Sequence, residues 1–593
     1  MAGTVVAPYL LNVTERSTDA GTAGGTKTQL APFDYHGVRL LESPWQKQYQ
    51  ETRDFYYKIP DDNALKGFRE RAGLPAPGVK LEGWYGNDAF NVFPQWLSGM
   101  ARMSAATGDQ AVGEKAHNLM LEWAKTIEPD GYFYYSRKPT FHYTYDKTVC
   151  GLVDLCKYAG YQDALPLLEK ITDWAIKNLS RTRQPATSGD PSSGMSEWYT
   201  LSENLYRAYQ LTGNPKYKEF GDVWPYTSYW SKFTTQTDPD IHDLHAYSHV
   251  NTLSSAAMAY AVTGDSQFLK VIINAYDYFE RTQFYATGGY GPSEKLMLPD
   301  GSLGKSLEID SNNFETICGS WAGFKLGRYL MMFTGEARYG DWIEKLLYNG
   351  IGAALPMLPD GRTFYYSDYR LGGCRKIYGA IHDIGGDWRW PCCSGTFPQV
   401  VADYHNIIYF KAPDGLYVNM FLPSEVTWTQ AGTEVKVTQQ TGYPESDTTN
   451  LTVQINKPTP FSLKFRVPAW SRGTTVKVND TKLDVTIAAG TWATVQRTWN
   501  PGDRVTIQIP MEMTMVPVDR QHPNRVAFRY GPVVLVRTEE SLEVPNRTEL
   551  SRWITPASQS LEFHTLEESK GNLLPFYRVA RGQPYRMYFD LKG

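Results

Sequence analysis

Apolar residues recur at helical spacing from about residue 46 to residue 405. In EKAHNLMLEWAKTI they place Ala116, Leu119, Met120, Trp123, Ala124 and Ile127 on one face. DALPLLEKITDWAIKNL repeats the pattern with Ala164, Leu168, Ile171 and Ala175. A short phrase punctuates these helices: ATGDQ, YAGYQD, LTGNPKY, VTGDSQF and FTGEARY, centred on Gly108, Gly160, Gly213, Gly264 and Gly335. Each supplies a glycine suited to a left-handed helix end, often followed by an acidic or amide residue that can open the next helix. The phrases are 52, 53, 51 and 71 residues apart. A period near 52 suits a helical hairpin, and about six hairpins fill the span. The expected architecture is a closed (α/α)6 toroid, with an open solenoid of the same hairpins as the alternative. The long fourth interval holds TGGYGPSEKLMLPDGSLGKSLEIDSNNFE, a Gly- and Asp-rich loop of the kind that carries function in compact domains.

After about residue 406 the period drops to two. GLYVNMFLP, SEVTWTQ, TEVKVTQQ, NLTVQINK, FSLKFRVP and DRVTIQIP read as strands separated by turns. One or two β-sandwiches are expected over 406–593, and the earlier segment TQLAPFDYHGVRLL (within 28–45) can join one of their sheets. Residues 1–27, rich in Thr, Gly and Ala, read as a loose arm. The chain is therefore expected to be a multidomain α+β protein, with its helical toroid at 46–405.

Composition narrows the function. A net charge of −4 and a pI near 6.2 argue against nucleic acid or an anionic membrane as partner. No stretch reaches the roughly 18 apolar residues of a membrane span. The N-terminus lacks the basic head and long apolar run of an intact signal peptide. That leaves a secreted or periplasmic chain with its signal removed, or a cytoplasmic one. A homodimer is compatible with the sequence. Aromatic residues reach 14%, with 40 Tyr and 17 Trp, a lean toward carbohydrate, whose sites need flat apolar faces rimmed by hydroxyls.

The six cysteines are too few for a disulfide scaffold. Cys150 and Cys156 fall on different faces of a helical segment and read as structural. Cys392 and Cys393 are adjacent, a spacing too short for an ordinary disulfide but able to chelate one soft metal ion. Glu315 and Cys318, three apart in FETICGSW, share a helix face. Three sulfurs and a carboxylate make a sensible four-coordinate zinc set. The alternative is a pair of inert thiols beside an unrelated acid.

These residues carry a resemblance. VRLLESPW, FRERAGL, the TGD-type phrases, TGGYGPSE, the Glu-Thr…Cys phrase, the Cys-Cys pair and GLYVNMFLPSEVTW together resemble the β-L-arabinofuranosidase family, glycoside hydrolase family 127. The resemblance spans nearly the whole chain and implies a helical toroid followed by β-sandwiches. It implies a zinc ion held by Glu315, Cys318, Cys392 and Cys393, with Cys392 as nucleophile and Glu294 of GPSE as general acid/base. The thiolate would take the place of the second carboxylate in a retaining double displacement. In this chain Ile317 separates the Glu-Thr from Cys318, Asp146 stands where many members carry a His, and Gln95 stands near another expected His position. His249 and His245 in HAYSHVNT, Glu203 in LSENLYRAY, Asp146, Gln95 and Trp388 are the implied or candidate sugar contacts.

The expected function is thus a retaining, zinc-thiolate glycoside hydrolase. It would release β-L-arabinofuranose or a related sugar from the non-reducing end of a plant or microbial glycan. A toroid glycosidase or lyase using carboxylates, with zinc purely structural, and a non-catalytic glycan-binding protein are the competing readings.

Overall fold

The computed structural model describes residues 28–592 apart from 87–89, 138–140, 184–196, 236, 380–387, 539–553 and 566–571. The arm expected at 1–27 lies outside the described residues. Twelve helices build the ring. They are α1 (Pro44–Lys58), α2 (Phe93–Thr107), α3 (Gln110–Ala124), α4 (His142–Lys157), α5 (Ala164–Asn178) and α6 (Leu201–Thr212). The remaining six are α7 (Pro215–Gly221), α8 (Ala246–Thr263), α9 (Ser266–Thr282), α10 (Thr316–Thr334), α11 (Gly340–Asn349) and α12 (Cys392–Ala402).

The even-numbered helices form an inner ring: α2 packs on α4, α4 on α6, α6 on α8, α8 on α10, α10 on α12, and α12 returns to α2. That last contact closes the toroid and excludes the open solenoid. Its closeness shows at Gly99 of α2, where an added Cβ would stand 2.5 Å from the Pro398 Cβ of α12. Inner helices are buried nearly all round, polar residues included, whereas outer α3, α5 and α9 bury one stripe. Four of the five punctuating glycines do what the pattern predicts, while Gly160, at φ 82°, lies beyond the Tyr158 end of α4. Gly108, Gly213, Gly264 and Gly335 end α2, α6, α8 and α10 at φ near +70°. Asp109, Asn214 and Asp265 then cap α3, α7 and α9 by accepting backbone N–H groups.

Because outer and inner helices alternate along the chain, every inner helix enters the ring from the same end. Six N-termini and the loops before them share one mouth.

Beyond the ring, Tyr409–Ala412, Gly415–Val418, Thr459–Arg466 and Trp492–Trp499 form one sheet, completed at its edge by Ala31–Pro32. A seven-stranded sheet built around Ser424–Gln430, Thr433–Thr441 and Thr448–Gln454 faces it, with Val38–Leu40 as its edge strand. Trp428 of the second sheet meets Phe461 of the first edge-on at 5.5 Å, inside the sandwich core. A third sheet, from Met513–Pro517 to Tyr588–Asp590, carries its own apolar cluster around Phe528, Leu535 and Phe589.

Polar anchors fix the β units to the ring. The buried Arg466 guanidinium pairs with Asp341 and, at 2.6 Å, with Glu344 of α11. Tyr443 and Trp470 also donate to Glu344. The C-terminal β region reaches loops of the ring: the Ala286 N–H donates to the Tyr588 hydroxyl at 2.8 Å, and Tyr585 donates to the Asp368 carbonyl at 2.7 Å.

Candidate active site

Two inner-helix starts meet at the mouth. Glu315 caps α10 and Cys318 lies in its first turn, while Cys392 and Cys393 open α12 directly after Pro391. Cys318 Sγ lies 3.3 Å from Cys393 Sγ and 3.9 Å from Cys392 Sγ. Glu315 Oε1 lies 3.5 Å from Cys392 Sγ and 3.7 Å from Cys393 Sγ. All four residues are buried, and their four ligand atoms lie within 4.8 Å of one another.

Four acidic groups in so small a dry space cannot all ionise unaided. Burial raises the Cys318 and Cys393 thiols well above the ordinary thiol value; hydrogen bonding with Cys392 pushes both further up, while the bond with Cys318 works against the rise at Cys393. Burial, with Cys392 and Glu294 nearby, likewise raises Glu315. Cys392 is the exception. Burial opposes its ionisation, but hydrogen bonds from Cys318, Cys393 and Tyr365 hold it well below the usual thiol range. Glu315 Oε2 is buried without a hydrogen-bond partner. An orphaned carboxylate oxygen beside three sulfurs is what a site built for a cation leaves behind when only protein atoms are counted. This group could hold a metal ion, and the donor set fits one.

Glu294 comes from the Gly-rich loop between α9 and α10. Ser293 and Glu294 both adopt left-handed backbone, φ 50° and 61°, a conformation non-glycine residues rarely take and one that clusters at functional sites. Tyr366 donates to Glu294 Oε1 at 2.5 Å and Tyr365 at 3.2 Å. His245 Nε2 stands 3.3 Å from Glu294 Oε2, while the Ser248 backbone N–H points at His245 Nδ1. Burial would raise the Glu294 carboxyl, but His245 and the two phenols outweigh it and hold the group below its ordinary value. His245 moves oppositely, its loss of solvation overcome by Glu294. The Tyr365 hydroxyl is also 3.3 Å from Cys392 Sγ, so one phenol touches both Cys392 and Glu294.

The structure therefore brings Glu315, Cys318, Cys392, Cys393, Glu294 and His245 together. Three other expected residues are engaged elsewhere. Asp146 Oδ1 accepts from Asn204 at 2.8 Å and Oδ2 from Lys147 at 2.9 Å and Thr200 at 3.2 Å, all buried. Glu203 pairs with Lys325 and accepts from Tyr329 at 3.2 Å. Burial raises its carboxyl, but Lys325 outweighs that and leaves it below the ordinary range. Gln95 binds Thr396 and Tyr143, and Thr396 in turn lies 3.3 Å from Cys318 Sγ. Asp146 and Glu203 thus form buried ion pairs inside the ring, and Gln95 buttresses the thiol cluster from behind. Their polar atoms already bind protein groups, so a sugar contact at any of the three would have to share or displace those bonds.

His249 is fully buried, packed on Tyr199, Tyr226 and Tyr229, and burial pushes its pKa down to about 3. Its Nδ1 bonds the His245 carbonyl at 2.9 Å, and its Nε2 is buried without a partner. Trp388 is half-buried beside Tyr365 and Tyr366.

Sequence reasoning missed Tyr365 and Tyr366. They sit by the site because Phe314–Glu315 pairs with Tyr366–Ser367, an isolated two-residue ladder with no periodic signature. It also missed Glu197, just before α6. Its Oε2 is buried and unpartnered, and burial, the largest influence, raises it to about 7 near His245, Lys147 and Cys392.

The β-L-arabinofuranosidase GH127 catalytic-domain model matches residues 37–406, and the GH127 middle-domain model matches 415–511. The chain belongs to glycoside hydrolase family 127. Its fold agrees with that of a GH127 β-L-arabinofuranosidase from Geobacillus stearothermophilus T6: TM-score 0.71, 19% identity, covering 94% of this chain and 100% of that one. A second GH127 β-arabinofuranosidase gives TM-score 0.72 at 19% identity, covering 96% and 99%. No curated protein matches significantly. This GH127 chain is accordingly a glycoside hydrolase, and its Cys/Glu cluster lies within the matched catalytic domain.

Proposed function

We propose that the protein is a retaining exo-glycosidase in which Cys392 is the nucleophile and Glu294 the general acid/base. Its substrate would be a β-L-arabinofuranoside or a closely related sugar at the non-reducing end of a glycan. The observation that carries this reading is the shared Tyr365 hydroxyl, 3.3 Å from Cys392 Sγ and 3.2 Å from Glu294 Oε1. The two groups can therefore be no more than about 6.5 Å apart, a range that includes the roughly 5–5.5 Å between the carboxyls of ordinary retaining enzymes.

Glu315, Cys318, Cys392 and Cys393 would hold zinc, whose charge would keep the thiols ionised at neutral pH. The residues of the chain then divide the work. The Cys392 sulfur attacks the anomeric carbon, and the bond to the leaving oxygen breaks. The proton held between His245 and Glu294 passes to that oxygen. Water next enters, Glu294 takes its proton, the carbon–sulfur bond breaks, and Cys392 returns to the thiolate. Tyr365 and Tyr366 fix the carboxylate throughout. Glu197, His249 Nε2 and the Tyr247 hydroxyl, buried and unpartnered, are the groups offered to sugar hydroxyls.

Acid-quenching a slowly hydrolysed arabinofuranosyl substrate and mapping peptides by mass spectrometry tests this. A pentosyl adduct on the Cys392 peptide, with about one zinc per chain, is expected. An adduct on a carboxylate, or an active protein lacking metal, would refute it.

A further inference from the structure

Trp84, Phe90 and Trp388 are aromatic residues at the mouth that the chemistry above does not use. All three are half-buried. Trp84 and Trp388 have ring centroids 5.6 Å apart with planes inclined by 33°, and Trp84 and Phe90 are 5.4 Å apart at 36°. At these separations the shallow tilts are those of offset-stacked rings, which make one packed aromatic cluster, unlike the edge-on contacts common elsewhere in this core. Trp390, two residues further, goes inward instead and is buried against Trp96 and Phe55. Position 388 is therefore not simply drawn into the same core.

Backbone contacts hold the wall rigid. The Trp84 N–H donates to the Arg389 carbonyl at 3.0 Å, and Glu82 pairs with Arg389 at 2.7 Å. Gly83, at φ +67°, lies so close that an added Cβ would be 2.3 Å from the Arg389 carbonyl oxygen. The turn that carries Trp84 is thus clamped against the segment that carries Trp388.

The wall also has a defined side. Tyr365 lies 6.1 Å from Trp84 and 5.5 Å from Trp388, and Tyr366 lies 6.3 Å from Trp388. These are the two phenols that hold Glu294. A general acid must stand next to the oxygen that departs; Tyr365 also meets Cys392, so Tyr366 is the phenol that marks the leaving-group side, and Trp388 is the wall residue that packs on it.

We propose that Trp84, Phe90 and Trp388 form the leaving-group subsite and select substrates whose departing portion presents a flat ring. An aromatic face packs well on the C–H face of a sugar or on another aromatic ring. Either a second sugar or an aryl aglycone supplies that shared chemistry. This inference rests on the assignment of Glu294 as the acid.

The test compares kcat/KM for three substrates with the same arabinofuranosyl group: an aryl glycoside, a disaccharide and the methyl glycoside. The readout is the preference for each ring-bearing substrate over the methyl glycoside. In Trp84→Ala and Trp388→Ala that preference should fall at least tenfold. Trp84→Phe and Trp388→Phe, which keep a ring, should retain most of it. A fall for the disaccharide identifies a sugar as the ring, and a fall for the aryl glycoside alone identifies an aromatic one. An unchanged preference in both alanine variants overturns the subsite while leaving the glycosidase reading intact. Wild-type protein that turns over none of the three overturns the glycosidase reading and this inference with it.

Discussion

Lys325→Met removes the cation that faces Glu203 inside the ring. The two side chains are only 4% and 5% exposed, so the carboxylate left behind has no route to solvent. Its remaining hydrogen bond, from Tyr329 at 3.2 Å, cannot replace a full charge. Stripping one partner from a buried ion pair costs about 3–5 kcal/mol. Unfolding entropy is about 2.1 cal/mol/K per residue, which over a ring of roughly 370 residues converts that loss to a Tm lower by roughly 4–6 °C. Lys325→Met combined with Glu203→Gln removes both charges and keeps an acceptor for Tyr329. The double variant should therefore recover to within about 2 °C of the parent. Far-UV circular dichroism at a fixed scan rate follows the helical ring, and kcat/KM on an aryl β-L-arabinofuranoside follows the site. If Glu203 binds this cation and not sugar, the double variant keeps kcat/KM within a few-fold. Two results would refute the reasoning. One is a single variant that melts with the parent. The other is a double variant with parental Tm whose KM has risen a hundredfold.

Three further outcomes are expected. Tyr366→Phe deletes a charge-assisted hydrogen bond worth about 1.5–3 kcal/mol to Glu294, the proposed acid/base, so kcat should fall at least tenfold with KM nearly constant and metal content unchanged. Glu197, raised to about 7 by burial, binds its proton more tightly folded than unfolded, so its favourable contribution is complete below the ordinary glutamate pKa and disappears as pH rises through 7. Glu197→Gln should therefore match the parent near pH 4.5 and exceed it above pH 7 by on the order of 3 kcal/mol, read from denaturant melts at the two pH values; equal differences at both would contradict this. Arg466→Met strands Asp341 and Glu344 under the sandwich, and limited proteolysis should then cleave between ring and sandwich at protease levels the parent resists.

The ring was legible because helices that bury one stripe must repeat it every turn, and because Gly108, Gly213, Gly264 and Gly335 each need a left-handed end that glycine supplies without strain. The thiol cluster was legible from chemistry rather than pattern, since adjacent cysteines have few other uses. Tyr365, Tyr366 and Glu197 left no trace, since short ladders and helix-entry turns impose no period. The buried ion pairs of Asp146 and Glu203 were not read either: nothing in the spacing says that Asp146 pairs with its own neighbour Lys147, and Lys325, the partner of Glu203, lies on another helix altogether.

Val38–Leu40 pairs with Ser424–Val426, and Ala31–Pro32 pairs with Phe410–Lys411. The earliest described strands therefore have no partner until the entire ring has left the ribosome. A nascent chain must carry two unzipped edges through most of its synthesis, and a fragment cut at the family-model boundary would expose the same edges permanently. Expressed alone, the catalytic ring should aggregate unless the sandwich is supplied in trans.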